Sequence, residues 1–292
     1  MRRQHLRVRS PLAALAMTCA VGCLAASLAV EAAEPAPADI FAADNLVAWC
    51  IVPFDAQHRG PEERAAMLDR LGLKRVAYDW RAEHVATFEE EIHAYQRHGL
   101  EFLAFWSWHP EFAPLVKQHD IHPQFWITNP SPDGANDDER AAKAAEQLLP
   151  IVRQAAELDC QVGLYNHGGW GGEPANLVAV CERLRDTHDA RNVGIVYNFH
   201  HGHDHITDFA DSLKLMLPML LCVNINGMND RAEPKILTLG EGRHEIDMLR
   251  TLKASGYVGP IGILDHRPET DSEETLRENL AGLRGIADRL AE

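Results

Sequence analysis

Residues 193–205 read VGIVYNFHHGHDH, and this segment gives the strongest indication of how the 292-residue chain folds. Its first half, VGIVYNF, is an apolar run rich in β-branched residues and has the length of a buried strand. Four histidines follow at once, with a glycine and an aspartate among them. A buried strand that ends in imidazole, carboxylate and carboxamide groups is typical of a barrel enzyme, which carries its chemistry at the C-terminal ends of its strands.

The same unit recurs along the whole chain. Apolar runs of strand length begin near residues 46, 75, 100, 124, 161, 193, 219 and 260, and a helical pattern follows each of them. Strict alternation indicates a parallel sheet with helical crossovers, and eight units in about 250 residues predict a closed (β/α)8 barrel. A doubly wound open sheet is the alternative, but it usually has fewer strands and a glycine-rich phosphate loop, which this sequence lacks. We therefore predict an α/β chain with a single TIM barrel over residues 45–292.

The N-terminal segment has the pattern of a secretory signal. Four arginines are followed by an apolar stretch over residues 13–30, and Val30-Glu31-Ala32 provides a cleavage site. We predict a cleaved signal peptide over residues 1–32, a Pro/Ala linker over residues 33–44, and a periplasmic or secreted protein. An uncleaved N-terminal anchor is the alternative. A lipid anchor at Cys23 is not expected, because the residues before it lack the leucine of a lipidation signal.

Charge and cysteine content limit the possible partners. Cleavage after Ala32 removes four arginines and one glutamate, and changes the formal net charge from −15 to −18. Because no run of Lys or Arg offsets this charge, we expect binding neither to nucleic acid nor to a membrane after cleavage. The mature chain keeps four cysteines without a CxxC pair, and we interpret them as small buried residues. They are Cys50, Cys160, Cys181 and Cys222.

Aromatic and amide side chains are concentrated where the predicted strands end. Five of the six tryptophans lie there, including Trp106 and Trp170, together with Asn198 and Asn224. Flat rings beside amides and imidazoles suit a polyhydroxylated ligand, whose C–H faces stack on rings and whose hydroxyls need donors and acceptors. The pattern predicts a small-molecule carbohydrate as the partner, although packing in the barrel is an alternative for any single tryptophan.

The histidines allow three interpretations. They are candidate metal ligands, candidate general acids and bases, or solvated loop residues. His167 and His201 are the stronger catalytic candidates, because each follows a strand end within two or three residues. His203 and His205 are better interpreted as solvated loop residues.

Four motifs resemble the xylose isomerase-like TIM barrels, a group of sugar isomerases and epimerases. They are LYNHGG at residues 164–169, YNFHHGH at 197–203, VNING at 223–227 and YVGPIGILDH at 257–266. The resemblance covers nearly all of the mature chain and implies one divalent metal held by Glu, Asp, His and Glu at the ends of strands five to eight. It also implies that the two glutamates transfer a proton at the carbon beside a carbonyl.

This sequence departs from the family pattern at every metal ligand. The four positions hold Tyr165, Asn198, Asn224 and Leu264, while Asn166-His167 and His201 are kept. Tyrosine and leucine cannot replace carboxylates as ligands of a hard metal, and neutral asparagine is a weak ligand. The usual metal site is therefore not expected, and a rearranged one is the open alternative. Its candidate ligands are His167, His200, His201 and Asp265.

Two functions remain in competition. The first is an exported enzyme, isomerase/epimerase-like or lyase-like, that acts on a carbohydrate or keto-sugar derivative by acid/base proton transfer. The second is a non-catalytic carbohydrate-binding barrel that has lost the metal site. For the enzyme we predict His167, His201 and Asp265 as catalytic residues. The predicted substrate contacts are Trp106, Tyr165, Asn166, Trp170, Asn198, Asn224 and His266.

Overall fold

The computed structural model describes residues 39–292. Eight strands alternate with helices over this range. The strands are β1 (Leu46–Trp49), β2 (Arg75–Tyr78), β3 (Glu101–Trp106), β4 (Gln124–Thr128), β5 (Val162–Tyr165), β6 (Val193–Asn198), β7 (Leu220–Ile225) and β8 (Ile261–Leu264). The predicted signal peptide lies outside the described residues, as do residues 33–38 of the predicted linker.

The helices follow the strands in the predicted order. They are α1 (Pro61–Leu71), α2 (Phe88–Arg97), α3 (Phe112–Gln118), α4 (Asp137–Glu157), the single turn α5 (Gly169–Gly172), α6 (Pro174–His188), α7 (Phe209–Met216), α8 (Glu245–Ala254) and α9 (Ser272–Ala291). Sequence signals set their ends: α1 begins at a proline and stops at Gly72, which adopts the left-handed conformation with φ 74°.

Each strand pairs in parallel with the next, and β8 pairs with β1, so the sheet closes into a barrel. This confirms the predicted (β/α)8 fold and excludes the open sheet. In the closed order, β1 lies opposite β5 and β2 lies opposite β6. Side chains at the ends of opposite strands therefore face each other across the barrel mouth.

The apolar core has two layers. One fills the space between the sheet and the helices and includes Leu46, Tyr78 and Phe105. The other lies inside the barrel and includes Trp49 and Trp126. Because successive strand residues point to opposite faces, every second residue of a strand reaches the barrel interior. Ile40 and Phe41 are also buried, so the packed part of the chain extends into the segment predicted as a linker.

Two strands end earlier than their apolar runs predict. The runs extend to Val52 and Trp108, whereas β1 ends at Trp49 and β3 ends at Trp106. The residues that follow them, Cys50 and Ser107, have φ 59° and φ 61°. A positive φ turns the chain away from the sheet, and the turned segments then contribute to the barrel mouth.

The four described cysteines are all buried and free, as predicted. Among residues 39–292, none of the helices combines the length and the apolar character needed to cross a membrane.

Candidate functional site

A cavity of about 320 Å³ opens at the C-terminal ends of the strands. Its size falls within the range of roughly 300–1,000 Å³ that is usual for small-molecule sites. Four aromatic side chains form part of its wall, Trp49, Phe54, Trp106 and Tyr165. Four imidazoles form another part, His167, His200, His201 and His266. Cys50, Asp79, Arg81, Asn198 and Leu264 complete it.

The structure brings most of the predicted site residues together. The cavity is lined by His167, His200, His201, His266, Trp106, Tyr165 and Asn198. Four other predicted residues, Asn166, Trp170, Asn224 and Asp265, are not among the lining residues. The first group lines the cavity because the barrel brings all strand ends to one face, and local contacts hold the second group away from it.

The imidazoles form a continuous cluster. The ring centroids of His167 and His201 are 4.5 Å apart, those of His200 and His201 are 4.4 Å apart, and those of His200 and His266 are 5.1 Å apart. A 3-10 turn places two of them, because Asn198 Oδ1 at the end of β6 accepts a hydrogen bond of 3.0 Å from the backbone N–H of His200. The turn directs adjacent histidines toward one cavity.

Burial keeps these histidines neutral. Burial, together with the positive charge of neighbouring histidines and of Lys235, lowers the pKa of His200 to about 2 and that of His201 to about 3. Burial also lowers the pKa of His167 and His266. At neutral pH each ring therefore offers one N–H donor and one acceptor. His167 and His201 are then weak bases, and their neutral N–H groups are better suited to polarising substrate oxygens.

Neutral side chains occupy the interior end of the barrel at the four positions of the family's metal ligands. Tyr165 Oη accepts a hydrogen bond of 3.0 Å from Trp49 Nε1 and a second one from Asn198 Nδ2. Asn224 is fully buried and accepts a weak hydrogen bond from the thiol of Cys222 over 3.6 Å. The absence of a side chain at Gly262 leaves room for the Asn224 side chain, since a Cβ at position 262 would collide with Asn224 Oδ1.

This donor set does not fit a divalent metal. It offers one phenol, two carboxamides and the apolar side chain of Leu264, without a carboxylate or an imidazole. Asn224 Nδ2, a donor, is also buried without a partner, and a cation would be repelled by such a group. No catalytic step is therefore assigned to a metal at these positions.

The rearranged metal site is not supported either. Among the described residues, only Glu89, His93 and His119 bring three metal-ligating atoms within 4.8 Å of one another. The alternative set of His167, His200, His201 and Asp265 does not converge in this way. The three imidazoles do not form such a group by themselves, and Asp265 is held by Ser272 instead of lining the cavity.

Asp265 links β8 to α9 instead of lining the cavity, in contrast to its predicted catalytic role. It is fully buried, its Oδ2 accepts a hydrogen bond of 2.7 Å from Ser272 Oγ, and its backbone N–H donates to the Trp49 carbonyl. Burial raises the pKa of Asp265 to about 7. Its neighbour His266 has φ 72°, which turns the chain so that the imidazole reaches the cavity while the carboxyl does not.

Asn166 and Trp170 also have structural contacts in place of the predicted substrate contacts. Asn166 joins β5 to β6, because its Nδ2 donates to the Asn198 carbonyl over 3.0 Å and its Oδ1 accepts from the Asn198 N–H over 2.7 Å. Trp170 lies on the helical layer, where its Nε1 donates to Asp137 Oδ1 over 2.7 Å and its ring packs under the guanidinium of Arg140.

Asp79 is the main cavity residue that was not predicted as a site residue from the sequence. It follows β2, is 1% exposed and lines the cavity. Its Oδ1 accepts a hydrogen bond of 3.2 Å from the Val52 N–H, and its Oδ2 is buried without a hydrogen-bond partner among the described residues. Burial raises the pKa of Asp79 to about 7, against the lowering effect of Arg81. The sequence signal that could have identified Asp79 is its position directly after a strand.

Arg81 provides the cationic part of the wall. Its Nη1 donates to the backbone carbonyls of Asp79 and Trp80 over 2.7 Å and 2.8 Å. Its guanidinium lies 5.4 Å from the ring centroid of Phe54. These contacts hold the charge at the cavity edge beside the Asp79 carboxyl.

A model of the xylose isomerase-like TIM barrel family matches residues 45–286. The chain belongs to this family. No curated protein sequence matches it. Membership agrees with the resemblance of the four strand-end motifs, and the substituted ligand positions described above set this member's site apart from the implied metal centre.

Solved structures with the same fold include sugar epimerases. The 3-keto-D-glucoside 4-epimerase of E. coli is 16% identical with a TM-score of 0.60, over 83% of this chain and 99% of that chain. A D-psicose 3-epimerase of Clostridium cellulolyticum H10, solved with D-tagatose, is 11% identical with a TM-score of 0.60, over 84% and 99%. The IOLI protein, solved with a zinc atom, is 13% identical with a TM-score of 0.65, over 84% and 99%. At these identities the similarity establishes the fold alone.

Proposed function

We propose that this protein is a sugar isomerase/epimerase-like enzyme that moves a proton at the carbon beside a carbonyl, with Asp79 as the proton-transferring group. One observation carries the proposal: a buried carboxyl with a pKa near 7 lies at the end of β2 and shares a cavity with neutral imidazoles at the end of the opposite strand, β6. A general base is most effective when its pKa lies close to the working pH.

The chemistry follows from these groups. The Asp79 carboxylate takes the proton from the carbon, the C–H electron pair forms the new C=C bond, and the carbonyl π pair moves onto oxygen. The neutral N–H groups of His201 and His167 donate hydrogen bonds to the substrate oxygens, where negative charge develops. The hydroxyl proton of the resulting enediolate passes to the former carbonyl oxygen, which leaves the negative charge on the other oxygen. Asp79, now a carboxylic acid, returns its proton to the former carbonyl carbon, the second oxygen becomes the new carbonyl, and an aldose–ketose isomerisation is complete. Return from the opposite face would give the epimer and needs a second acid.

A carbohydrate fits the walls of the cavity. Trp106 and Phe54 offer flat faces for C–H groups, while the imidazoles, Asn198 and Arg81 offer donors and acceptors for hydroxyls. The names of the structural neighbours, 3-keto-D-glucoside 4-epimerase and D-psicose 3-epimerase, support a keto-sugar as the substrate class.

The second candidate is a carbohydrate-binding barrel without catalysis. The observation that favours it is the replacement of all four family ligand positions by neutral side chains. It requires the same cavity and the same ligand class, and it differs from the first candidate only in predicting no proton transfer.

The test is hydrogen exchange into bound sugars. The purified protein is incubated in D2O with a panel of keto-sugars and aldoses, and deuterium at carbon is followed by mass spectrometry and proton NMR. We expect exchange that survives chelator treatment and falls at least 100-fold in Asp79→Asn. His205→Ala is the matched control, because His205 lies outside the cavity and pairs with Glu173 and Asp208. Saturable binding without exchange in the wild type would favour the second candidate.

The proposal also places the enzyme outside the cytoplasm, on the strength of the N-terminal sequence. Fractionation of producing cells, followed by N-terminal sequencing, should give a mature chain that begins at Ala33. A cytoplasmic protein that retains residues 1–32 would contradict this part of the proposal.

A further inference from the structure

The hydrogen bonds around the Tyr165 hydroxyl leave its proton without an acceptor in the described part of the chain. A phenol oxygen has two acceptor sites and one O–H donor. The indole N–H of Trp49 is always a donor, and it points to Tyr165 Oη over 3.0 Å. One acceptor site is therefore filled by a group whose direction is fixed by its chemistry.

The second acceptor site is filled by Asn198. Amide oxygen and nitrogen are distinguished by their partners, and here the partners are decisive. Asn198 Oδ1 accepts from the backbone N–H of His200, which can only donate. The amide nitrogen is thereby directed to Tyr165 Oη. Both acceptor sites of Tyr165 are occupied by donors.

The surroundings offer the Tyr165 proton no partner within residues 39–292. No hydrogen bond donated by Tyr165 is present there, and the Asn224 side chain, which also approaches the phenol, acts on it as a donor through its amide nitrogen and not as an acceptor of its proton. Leu264 on the neighbouring wall is apolar. Because Tyr165 lines the cavity, the O–H is free to bind an oxygen atom of a ligand.

We propose that Tyr165 donates its hydroxyl proton in a hydrogen bond to the carbonyl oxygen of the substrate and stabilises the negative charge that develops there. This inference rests on the proposed function for its catalytic part. The hydrogen bonds from Trp49 and Asn198 withdraw electron density from Oη and so strengthen its O–H as a donor. A fixed donor of this kind contributes about 100- to 1,000-fold to the rate when charge develops on the bound oxygen.

The experiment compares Tyr165→Phe with the wild type in two measurements. The first is the rate of deuterium exchange at saturating sugar, which should fall about 100-fold while the sugar Kd changes less than about tenfold. The second is the infrared stretch of the bound sugar's carbonyl, labelled with 13C. A hydrogen bond lowers this frequency, and Tyr165→Phe should raise it toward the value in an aprotic solvent.

A second variant tests the donor role without removing the Tyr165 hydroxyl. Asn198→Asp places a carboxylate acceptor beside Oη, so the hydroxyl remains but its proton is bound internally. We expect the same loss of exchange and the same carbonyl shift. Exchange within threefold of the wild type in folded Tyr165→Phe, with an unchanged carbonyl frequency, would overturn the proposal and leave the proposed function intact.

The two proposals fail in different ways. If the wild type binds a keto-sugar without exchange, the proposed function fails, and the carbonyl frequency still tests Tyr165 as a binding donor. A lowered frequency that is lost in Tyr165→Phe would support the donor role. A frequency that does not differ between the two proteins would overturn it.

A separate observation concerns the outer helices. Glu89 and His93 lie one turn apart on α2, and His119 follows α3 directly. Glu89 Oε1 lies 2.9 Å from His119 Nε2, the ring centroids of His93 and His119 are 4.8 Å apart, and one ligating atom from each residue lies within 4.8 Å of the others. Glu89 is 46% exposed and His119 is 11% exposed, so the group is accessible from solvent.

We infer that this triad binds a divalent transition metal, with Zn²⁺ as the best match, between α2 and α3. Two imidazoles and one carboxylate leave a fourth tetrahedral position for water, and small side-chain movements bring the three ligands to the usual 2.0–2.2 Å from zinc. This site is independent of the cavity and of the proposed function.

Titration with Zn²⁺ by calorimetry and elemental analysis after gel filtration tests this inference. We expect one equivalent in the wild type and at least a tenfold weaker Kd in His93→Ala and in His119→Ala. His122→Ala is the control, because His122 is 50% exposed and lies outside the triad. Co²⁺ should give the intense visible absorption of a four-coordinate site. Zinc binding that is equally strong in the wild type and in His93→Ala/His119→Ala would overturn the inference.

Discussion

Trp49 Nε1 and Tyr165 Oη are joined by a hydrogen bond of 3.0 Å that crosses the barrel interior from β1 to the opposite strand, β5. The Trp49 ring also packs edge-on against Trp126, with ring centroids 4.8 Å apart. The end of the barrel is thus closed by a neutral contact between opposite walls. The same hydrogen bond therefore shapes the bottom of the cavity and stabilises the fold.

Removal of the Tyr165 hydroxyl should destabilise the protein. Tyr165→Phe leaves the Trp49 and Asn198 donors buried without their acceptor, and we expect the free energy of unfolding to fall by about 1–3 kcal/mol. Urea denaturation followed by circular dichroism measures the change. An unchanged midpoint would mean that the two donors find other partners.

A double-mutant cycle isolates the cross-barrel contact. Trp49→Phe alone should cost about 1–3 kcal/mol, since it removes both a donor and packed volume. Because the two side chains share one hydrogen bond, the combined variant should be more stable than the sum of the single effects predicts, by about 0.5–1.5 kcal/mol. Strict additivity would contradict the direct contact.

The buried Asp79 should make stability depend on pH. Its pKa is raised by burial to about 7 in the folded protein, above the ordinary value of 3.8. Between these two values the folded state binds more protons than the unfolded state, so this group destabilises the fold as the pH rises. The stability gain of Asp79→Asn over the wild type should therefore grow by about 2–3 kcal/mol between pH 5 and pH 8. Urea melts at both values provide the measurement, and a gain independent of pH would be the opposing result.

The histidine cluster should have the opposite pH dependence. Burial lowers the pKa of His200 to about 2, and the side chain is only 6% exposed. Its contribution is fully present above the unfolded pKa of about 6.5 and is lost as the pH falls, because the unfolded state takes up the proton. Relative to the wild type, His200→Gln should gain about 2 kcal/mol between pH 7 and pH 5. His205→Gln, on the surface, serves as the control and should show no such gain.

Two tryptophans predicted to bind substrate should differ in their effect on sugar affinity. Trp106 lines the cavity, whereas Trp170 contacts Asp137 and Arg140 on the helical layer. For the keto-sugar that exchanges fastest, Trp106→Ala should weaken the Kd at least tenfold, and Trp170→Ala should leave it within about twofold. Calorimetric titration of both variants decides this, and equal losses would contradict the assignment of the cavity.

The fold was predictable because its signal is repeated. Eight apolar runs such as residues 193–199, each followed by a helical pattern, predict a closed (β/α)8 barrel at this length. The strand ends were less predictable, since apolar residues continue past Trp49 while the backbone already turns at Cys50. An apolar run indicates which residues are buried. Because the residues of the turn are buried as well, the run does not mark the end of the strand.

The site was predictable in part, for the same reason. Residues directly after strands, such as His201 and His266, reach the cavity because the barrel places all strand ends at one face. Position alone does not fix the direction of a side chain. Asp265 and His266 are adjacent, but Ser272 holds the first away from the cavity while the backbone turn exposes the second. Asp79 has an equivalent position directly after β2. Its burial is what marks it as a candidate base, and the sequence does not show that burial.

The neutral network of Trp49, Tyr165, Asn198 and Asn224 has a consequence for how the protein matures. Every group at the end of the barrel is encoded in the chain, so folding alone assembles the site. Under the proposed function, these four positions need no metal to be inserted before the cavity is complete. Activity per molecule should then be the same in protein folded in metal-poor and in metal-rich buffer.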